Sequence, residues 1–368
     1  MAFPDKPVAH LLGSNGSIHA LAYSASPGTY ILAGSSDRSI RLYNPQPSTA
    51  IHPSSHLSSK RPGSSNHAPA AAASVPEGRL IQTYSAHGYE VLSLSVSSDN
   101  ARFASSGGDR AVYLWDVATA QTVRRFSGAD GHTARVNCVS FGGGEDDSLL
   151  VSGSLDASVR VWDVRSGAGK PVQVLAEARD AVSAVAVRGP EIVSGSVDGR
   201  VRTYDVRAGR CVTDVVGPSV TSLSLTKDGK AVLVGGLDSK LRLMDRESGG
   251  CLKAYSDPEW KNENLRIQSM LGGKEQYVLV GDEMVNPPSQ SGEGRLWVWD
   301  ILTGSVKAKV RVPWGPVGSE PKKKFIGKDG KEKERSNVIS CMAWREDGFG
   351  DQFCVSGTSG IVTVFGYH

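Results

Sequence analysis

Ser152-Gly-Ser-Leu-Asp-Ala-Ser-Val-Arg-Val-Trp-Asp163 joins small residues, an acidic residue and an alternating run that ends on an aromatic. In Val159-Arg-Val-Trp162 successive side chains leave opposite faces, so one face of a strand enters a core and the other meets polar neighbours. The small residues let strands approach closely, and Asp156 suits a tight turn. The unit recurs as GSSDRSIRLYN (34–44), SGGDRAVYLWD (106–116), SGSVDGRVRTYD (194–205) and VGGLDSKLRLMD (234–245). Degenerate copies are QSGEGRLWVWD (290–300) and SGTSGIVTVFG (356–366).

The acidic position holds Asp37, Asp109, Asp156, Asp198, Asp238, Glu293 and Ser359. Six residues later stand Tyr43, Trp115, Trp162, Tyr204, Met244, Trp299 and Phe365, at spacings of 72, 47, 42, 40, 55 and 66. The tightest spacings match the ~40–45 residues of a four-stranded propeller blade. Seven copies predict an all-β fold, a seven-bladed β-propeller forming one ring over residues 1–368. The blades are expected near 14–45, 84–126, 130–175, 178–216, 217–256, 260–310 and 336–368. Only three residues follow the last aromatic, so the last blade lacks an outer strand. Residues 7–12 are expected to supply it beside 361–365, closing the ring and removing two edges.

Two insertions interrupt the period. In 45–79, proline, serine and alanine make 20 of 35 residues, too little apolar surface to offset the cost of ordering. A disordered loop is expected, with His52, His56 and His67 as solvated side chains rather than metal ligands. The second insertion, 313–336, carries seven basic and three acidic residues in one 15-residue stretch and is expected to be a solvated loop. The 282–292 segment replaces a tight turn in the sixth unit.

Composition narrows the function. Glycine makes up 42 of 368 residues, about 11%, without collagen periodicity. A net charge of +3 does not by itself predict a nucleic-acid or membrane surface. Five cysteines, odd in number and without C-x-x-C spacing, argue against a disulfide framework or zinc site. No apolar run spans a bilayer and no signal peptide opens the chain, so a reducing compartment is expected. No phosphate loop, nucleophile elbow or H-E-x-x-H pair is present, and Gly142–Asp147 reads as an inter-strand turn. His87, Ser105, Asp109 and Trp115, then His132, Ser152, Asp156 and Trp162, are expected as two structural tetrads. They repeat with the blade, whereas a catalytic triad occurs once. Neither an enzyme nor a cofactor is expected.

The turns into each inner strand and those before each acidic residue share what is here called the narrow face. Leu155, Val197 and Leu237, from blades three to five, are expected to form an apolar partner-binding patch there. Arg135 and Asn137 are expected as part of its polar rim.

Particular stretches resemble the mitogen-activated protein kinase organizer family of WD-repeat proteins. They are YSAHGYEVLSL (84–94), GGDRAVYLWDVATAQTVRRF (107–126), EARDAVSAV (177–185), GSVDGRVRTYDVRAG (195–209) and GLDSKLRLMDRESG (236–249), with the opening Met-Ala-Phe-Pro. The resemblance implies a WD-repeat scaffold that assembles kinase-cascade components in the cytoplasm and spliceosomal complexes in the nucleus. Its expected partners are other proteins, with a monomeric ring inside larger complexes and any RNA contact indirect. Two further readings stay open: a ubiquitin-ligase substrate receptor, and an RNA-binding propeller using the basic 313–336 loop.

Overall fold

A computed structural model describes residues 3–47, 75–167, 169–284, 292–316, 319, 325–326, 332–333, 336–345 and 351–367. Among the described residues, seven four-stranded antiparallel sheets and one two-stranded ladder account for the strands. The inner strands, in order, are Ile18–Tyr23, Val91–Val96, Val136–Gly142, Val182–Arg188, Val220–Leu225, Ser269–Gly272 and Ile339–Trp344. Each lies against the inner strands of both neighbours, and that of blade seven lies against blade one. The protein is a closed seven-bladed propeller.

Closure uses the N-terminus. Pro7–Leu11 pairs with Val362–Gly366 as the outer strand of blade seven, setting Leu11 opposite Val362 and His10 opposite Thr363. Phe3 anchors the segment further: its ring meets Tyr277 edge-on at 5.2 Å and Phe353 at 5.4 Å. Burial of Phe3, Ala9 and Leu11 offsets the ordering cost of the terminus.

The core lies between blades. Leu114 and Phe126 of blade two pack with Val136, Leu150 and Trp162 of blade three, and the other junctions repeat the arrangement. Glycine in the second strand of a blade makes room for the next one. A Cβ on Gly34 would lie 2.7 Å from Val91 Cγ1, one on Gly153 2.5 Å from Val182 Cγ1, and one on Gly195 2.5 Å from Val220 Cγ1. In each case the crowding atom belongs to the first residue of the next inner strand.

A second repeating device lies at the start of the inner strands. Their register shifts at the second residue in blades one to five and seven. A bulge leaves that residue out of the ladder and re-aims its side chain. Three of these side chains reach the next blade: Asn137 Nδ2 donates to Val182 O (2.8 Å), Ser183 Oγ to Val220 O (2.5 Å) and Ser340 Oγ to Ile18 O (3.3 Å).

Both insertions differ at their edges from the loops expected. The third strand of blade one continues through Asn44 to Pro47 and the fourth starts at Gly78, so 45–47 and 78–79 are strand. Pro47 ends its strand, where a missing N–H breaks no further ladder bond. The rest of that insertion, with His52, His56 and His67, lies outside the described residues apart from 75–77. In the second insertion Phe325–Ile326 pairs with Glu332–Lys333 in a short ladder, and Asn337 Nδ2 donates to Pro313 O (3.2 Å) near its base. Of the 282–292 segment, residues 285–291 fall outside the description.

Candidate functional site: the narrow face and the channel mouth

The turn before each third strand follows one plan. The residue after the acidic position adopts positive φ: Arg38 72°, Arg110 57°, Ala157 62°, Gly199 75°, Ser239 56° and Gly360 73°. A hairpin turn that closes on a left-handed residue demands this. The acidic side chain stabilises the strained step: Asp156 Oδ1 accepts from Ser158 N (3.0 Å) and Ser158 Oγ (2.6 Å). The residue before the acid is fixed by a main-chain bond to the turn leading into the inner strand. Ser36 donates to Ser17 O, Gly108 to Glu90 O, Leu155 to Arg135 O, Val197 to Ala181 O, Leu237 to Ser219 O and Thr358 to Val338 O, at 2.8–3.2 Å. The two sets of narrow-face positions are therefore held together in six blades.

The structure brings His87, Ser105, Asp109 and Trp115 into one chain. Trp115 Nε1 donates to Ser105 Oγ (2.8 Å), Ser105 Oγ lies 2.7 Å from His87 Nε2, and His87 Nδ1 lies 2.5 Å from Asp109 Oδ2. Blade three repeats it: Trp162 Nε1 donates to Ser152 Oγ (2.8 Å), which lies 2.8 Å from His132 Nε2, with His132 Nδ1 3.0 Å from Asp156 Oδ2. The connectivity is that of a hydrolase triad. Ser105 and Ser152, however, are fully buried and already accept an indole N–H, so neither hydroxyl meets a substrate. Burial works against the Asp109 carboxylate, but bonds from His87 and the Gly88 N–H outweigh it and hold its pKa below the usual value. Asp156 shows the same balance, with His132 and Ser158 prevailing over burial.

Blades one, four and five use arginine instead of histidine. Arg41 pairs with Asp37 (2.8 Å), Arg202 with Asp198 (2.7 Å) and Arg242 with Asp238 (2.5 Å), each four residues after the acid. The signal was in the sequence as an arginine at that offset, but blade three carries it too. There His132 takes Asp156, and the Arg160 guanidinium bonds the Asp130 carbonyl instead. Blade six departs most. Asp282, not Glu293, meets an indole: Trp297 Nε1 donates to Asp282 Oδ2 (3.0 Å). Val280 lies opposite Trp297, where serine stands in blades two and three, and Trp299 Nε1 has no partner among the described residues.

On the narrow face Leu155 is 46% exposed and Val197 38%, while Leu237 is half-buried. Arg135 is exposed, its backbone carbonyl accepting from both Leu155 N (3.0 Å) and Ser154 Oγ (2.8 Å). Asn137 does not belong to the rim. It is the bulged second residue of its strand, 5% exposed, and its amide is spent on Val182 O. The reading from sequence missed Tyr89, 64% exposed beside Gly108, and Leu265, 44% exposed in the connection into blade six. Tyr89 could have been found, since it stands in a turn entering an inner strand. Leu265 could not, because its connection follows no repeat.

The inner strands enclose a channel of about 450 Å³ lined by His19, Glu90, Arg135, Arg266 and Gln268 at its narrow mouth, with serines deeper in. Arg266, from blade six, donates Nη1 to Asn137 O of blade three (3.1 Å), across the channel. Solvent reaches Arg266 through the lumen, yet its pKa is lowered by desolvation, Cys138 opposing and Arg135 adding repulsion. His19 is likewise lowered by burial, with Glu90 raising it and Arg266 lowering it.

The comparisons agree with this geometry. The family model described as WD domain, G-beta repeat matches residues 5–44, 78–116 and 121–163. WD repeat domain-containing protein 83 of Homo sapiens is 37% identical over 316 residues, covering 86% of this chain and 85% of that protein. The WD repeat domain-containing protein 83 homolog of Dictyostelium discoideum is 29% identical over 328 residues, covering 82% and 86%. A guanine nucleotide-binding protein subunit beta of Oryza sativa subsp. japonica is 31% identical over 242 residues, 63% of this chain and 49% of that one. With seven blades, a turn plan repeated around the ring and a human WD-repeat relative 37% identical over 86% of this chain, this chain belongs to the WD-repeat family.

Proposed function

We propose that this chain is a non-catalytic scaffold whose narrow face gathers proteins of pre-mRNA splicing complexes and of mitogen-activated protein kinase cascades, in nucleus and cytoplasm. The observation that carries it is the exposed Leu155 and Val197 and the half-buried Leu237, at the same turn position in three consecutive blades, each held by a backbone bond to the turn into its own inner strand. Rigid apolar side chains on a preformed surface lose little entropy on binding, and a few such anchors dominate interface energies. The sequence resemblance to the kinase-organizer family supports this choice of partners, and the similarity to WD repeat domain-containing protein 83 supports a WD-repeat scaffold. The buried tetrad serines argue against a hydrolase reading of the same residues.

The test is affinity purification of the tagged chain with mass spectrometry of what it retains. Leu155→Asp with Leu237→Asp is expected to lose splicing factors or kinase-cascade components while circular dichroism and melting show a folded ring. Retention of those partners by a folded double variant removes the patch as the site. A ligase adaptor in their place favours the substrate-receptor reading.

A further inference from the structure

We propose that the narrow mouth of the central channel is an anion site, in which Arg135 and Arg266 take a phosphate-class oxyanion. Neither arginine forms an ion pair among the described residues, whereas Arg41, Arg202 and Arg242 of the surrounding turns are each paired with aspartate. Arg266 is held in place by its bond to Asn137 O, two residues along the chain from Arg135, with one guanidinium N–H thus committed. The remaining N–H groups of both forks are donors in the geometry that suits tetrahedral oxyanions. Gln268 adds to them: its Oε1 accepts from Met342 N (3.3 Å), which leaves its amide N–H groups as donors at the same mouth.

One carboxylate, Glu90, lines the channel, and it forms no ion pair with either arginine among the described residues. Two cations against one acid leave the mouth with positive charge for a ligand to neutralise. The channel, at about 450 Å³, is wider than a phosphate group requires, so the phosphate can arrive free, on a small organic molecule, or on a phosphorylated side chain of a protein seated on the narrow face. Arg135 also stands at the rim of the apolar patch, whereas Arg266 does not, so Arg266→Gln separates a failure of this site from a failure of the scaffold reading.

The experiment is calorimetric titration of the whole chain with sodium pyrophosphate and with a short phosphoserine peptide, beside Arg266→Gln and Arg135→Gln. Saturable one-to-one binding of a phosphate probe is expected, weakened at least tenfold in each variant and weakened by added salt. Peptide binding at least tenfold tighter than pyrophosphate assigns the phosphate to a partner protein; equal or weaker peptide binding assigns it to a free phosphate compound. Absence of saturable binding to the wild type, or equal binding by both folded variants, overturns the proposal.

Discussion

Asn137 Nδ2 donates to the carbonyl of Val182 across 2.8 Å, so a side chain rather than a sheet ladder joins the starts of blades three and four. Asn137 is nearly buried, and removing it leaves a main-chain acceptor without its partner. Asn137→Ala is expected to cost about 1–3 kcal/mol, while Arg135→Ala, two residues away and exposed, stays within about 0.5 kcal/mol. Chemical denaturation of the two variants separates a latch from a rim residue; equal midpoints would contradict the latch.

The Asp198–Arg202 pair carries an acid-sensitive contribution. Burial opposes the Asp198 carboxylate, yet bonds from Arg202 and Ser196 push its pKa down to about 2. A depressed carboxylate contributes stability above its unfolded pKa of about 3.9 and loses it as pH falls toward the folded value. Asp198→Asn strands the buried Arg202 and is expected to cost about 3 kcal/mol at pH 7. The difference from wild type should shrink between pH 4 and about 2, a window set by the folded pKa. A gap that stays constant over that window would assign the effect to packing.

Ring closure predicts the outcome of truncation. Deleting residues 1–13 removes the outer strand of blade seven and the buried Phe3, Ala9 and Leu11. A loss of about 5 kcal/mol or more is expected from the large side chains alone. An unchanged melting temperature would show that the terminal strand adds nothing to the ring.

Two glycines should respond in opposite ways. Gly153→Val sets new atoms against Val182 and Cys138 Sγ, the latter 2.8 Å from the first added carbon, and overpacking of about 1–3 kcal/mol is expected. Gly167→Ala meets nothing within 4 Å and is expected to be neutral or mildly stabilising. Thermal melting of both checks the close-approach role; tolerance of Gly153→Val would remove it.

Ser105→Ala tests the tetrad without touching the surface. Trp115 Nε1 and His87 Nε2 both lose a partner, and a cost of about 2 kcal/mol is expected with partner capture intact. Loss of capture by a folded variant would give the tetrad a role in binding.

The repeat unit was legible because it is local. Alternation in Val159-Arg-Val-Trp162 specifies a strand with one apolar face, and such a unit cannot bury that face alone, so seven copies imply a ring. The narrow-face positions Leu155 and Val197 were legible for the same reason: each precedes an acid that fixes a turn. Asn137 was not, because alternation alone takes no account of the register shift between Val136 and Cys138. Arg266 was hidden for a different reason: it stands in an irregular connection and acquires meaning only through Asn137, 129 positions away.

By itself, then, the sequence determined the strands, their turns and the number of blades, since these follow from side-chain period and turn chemistry over about ten residues. Only the tertiary structure decided which of the arginines four residues after an acid pair with it: Arg41, Arg202 and Arg242 do, and Arg160 does not. It also decided which bulged side chains tie neighbouring blades together and which arginines face the channel without an ion pair among the described residues. Those outcomes depend on what the neighbouring blade presents, and closing the ring brings together groups that no local pattern relates.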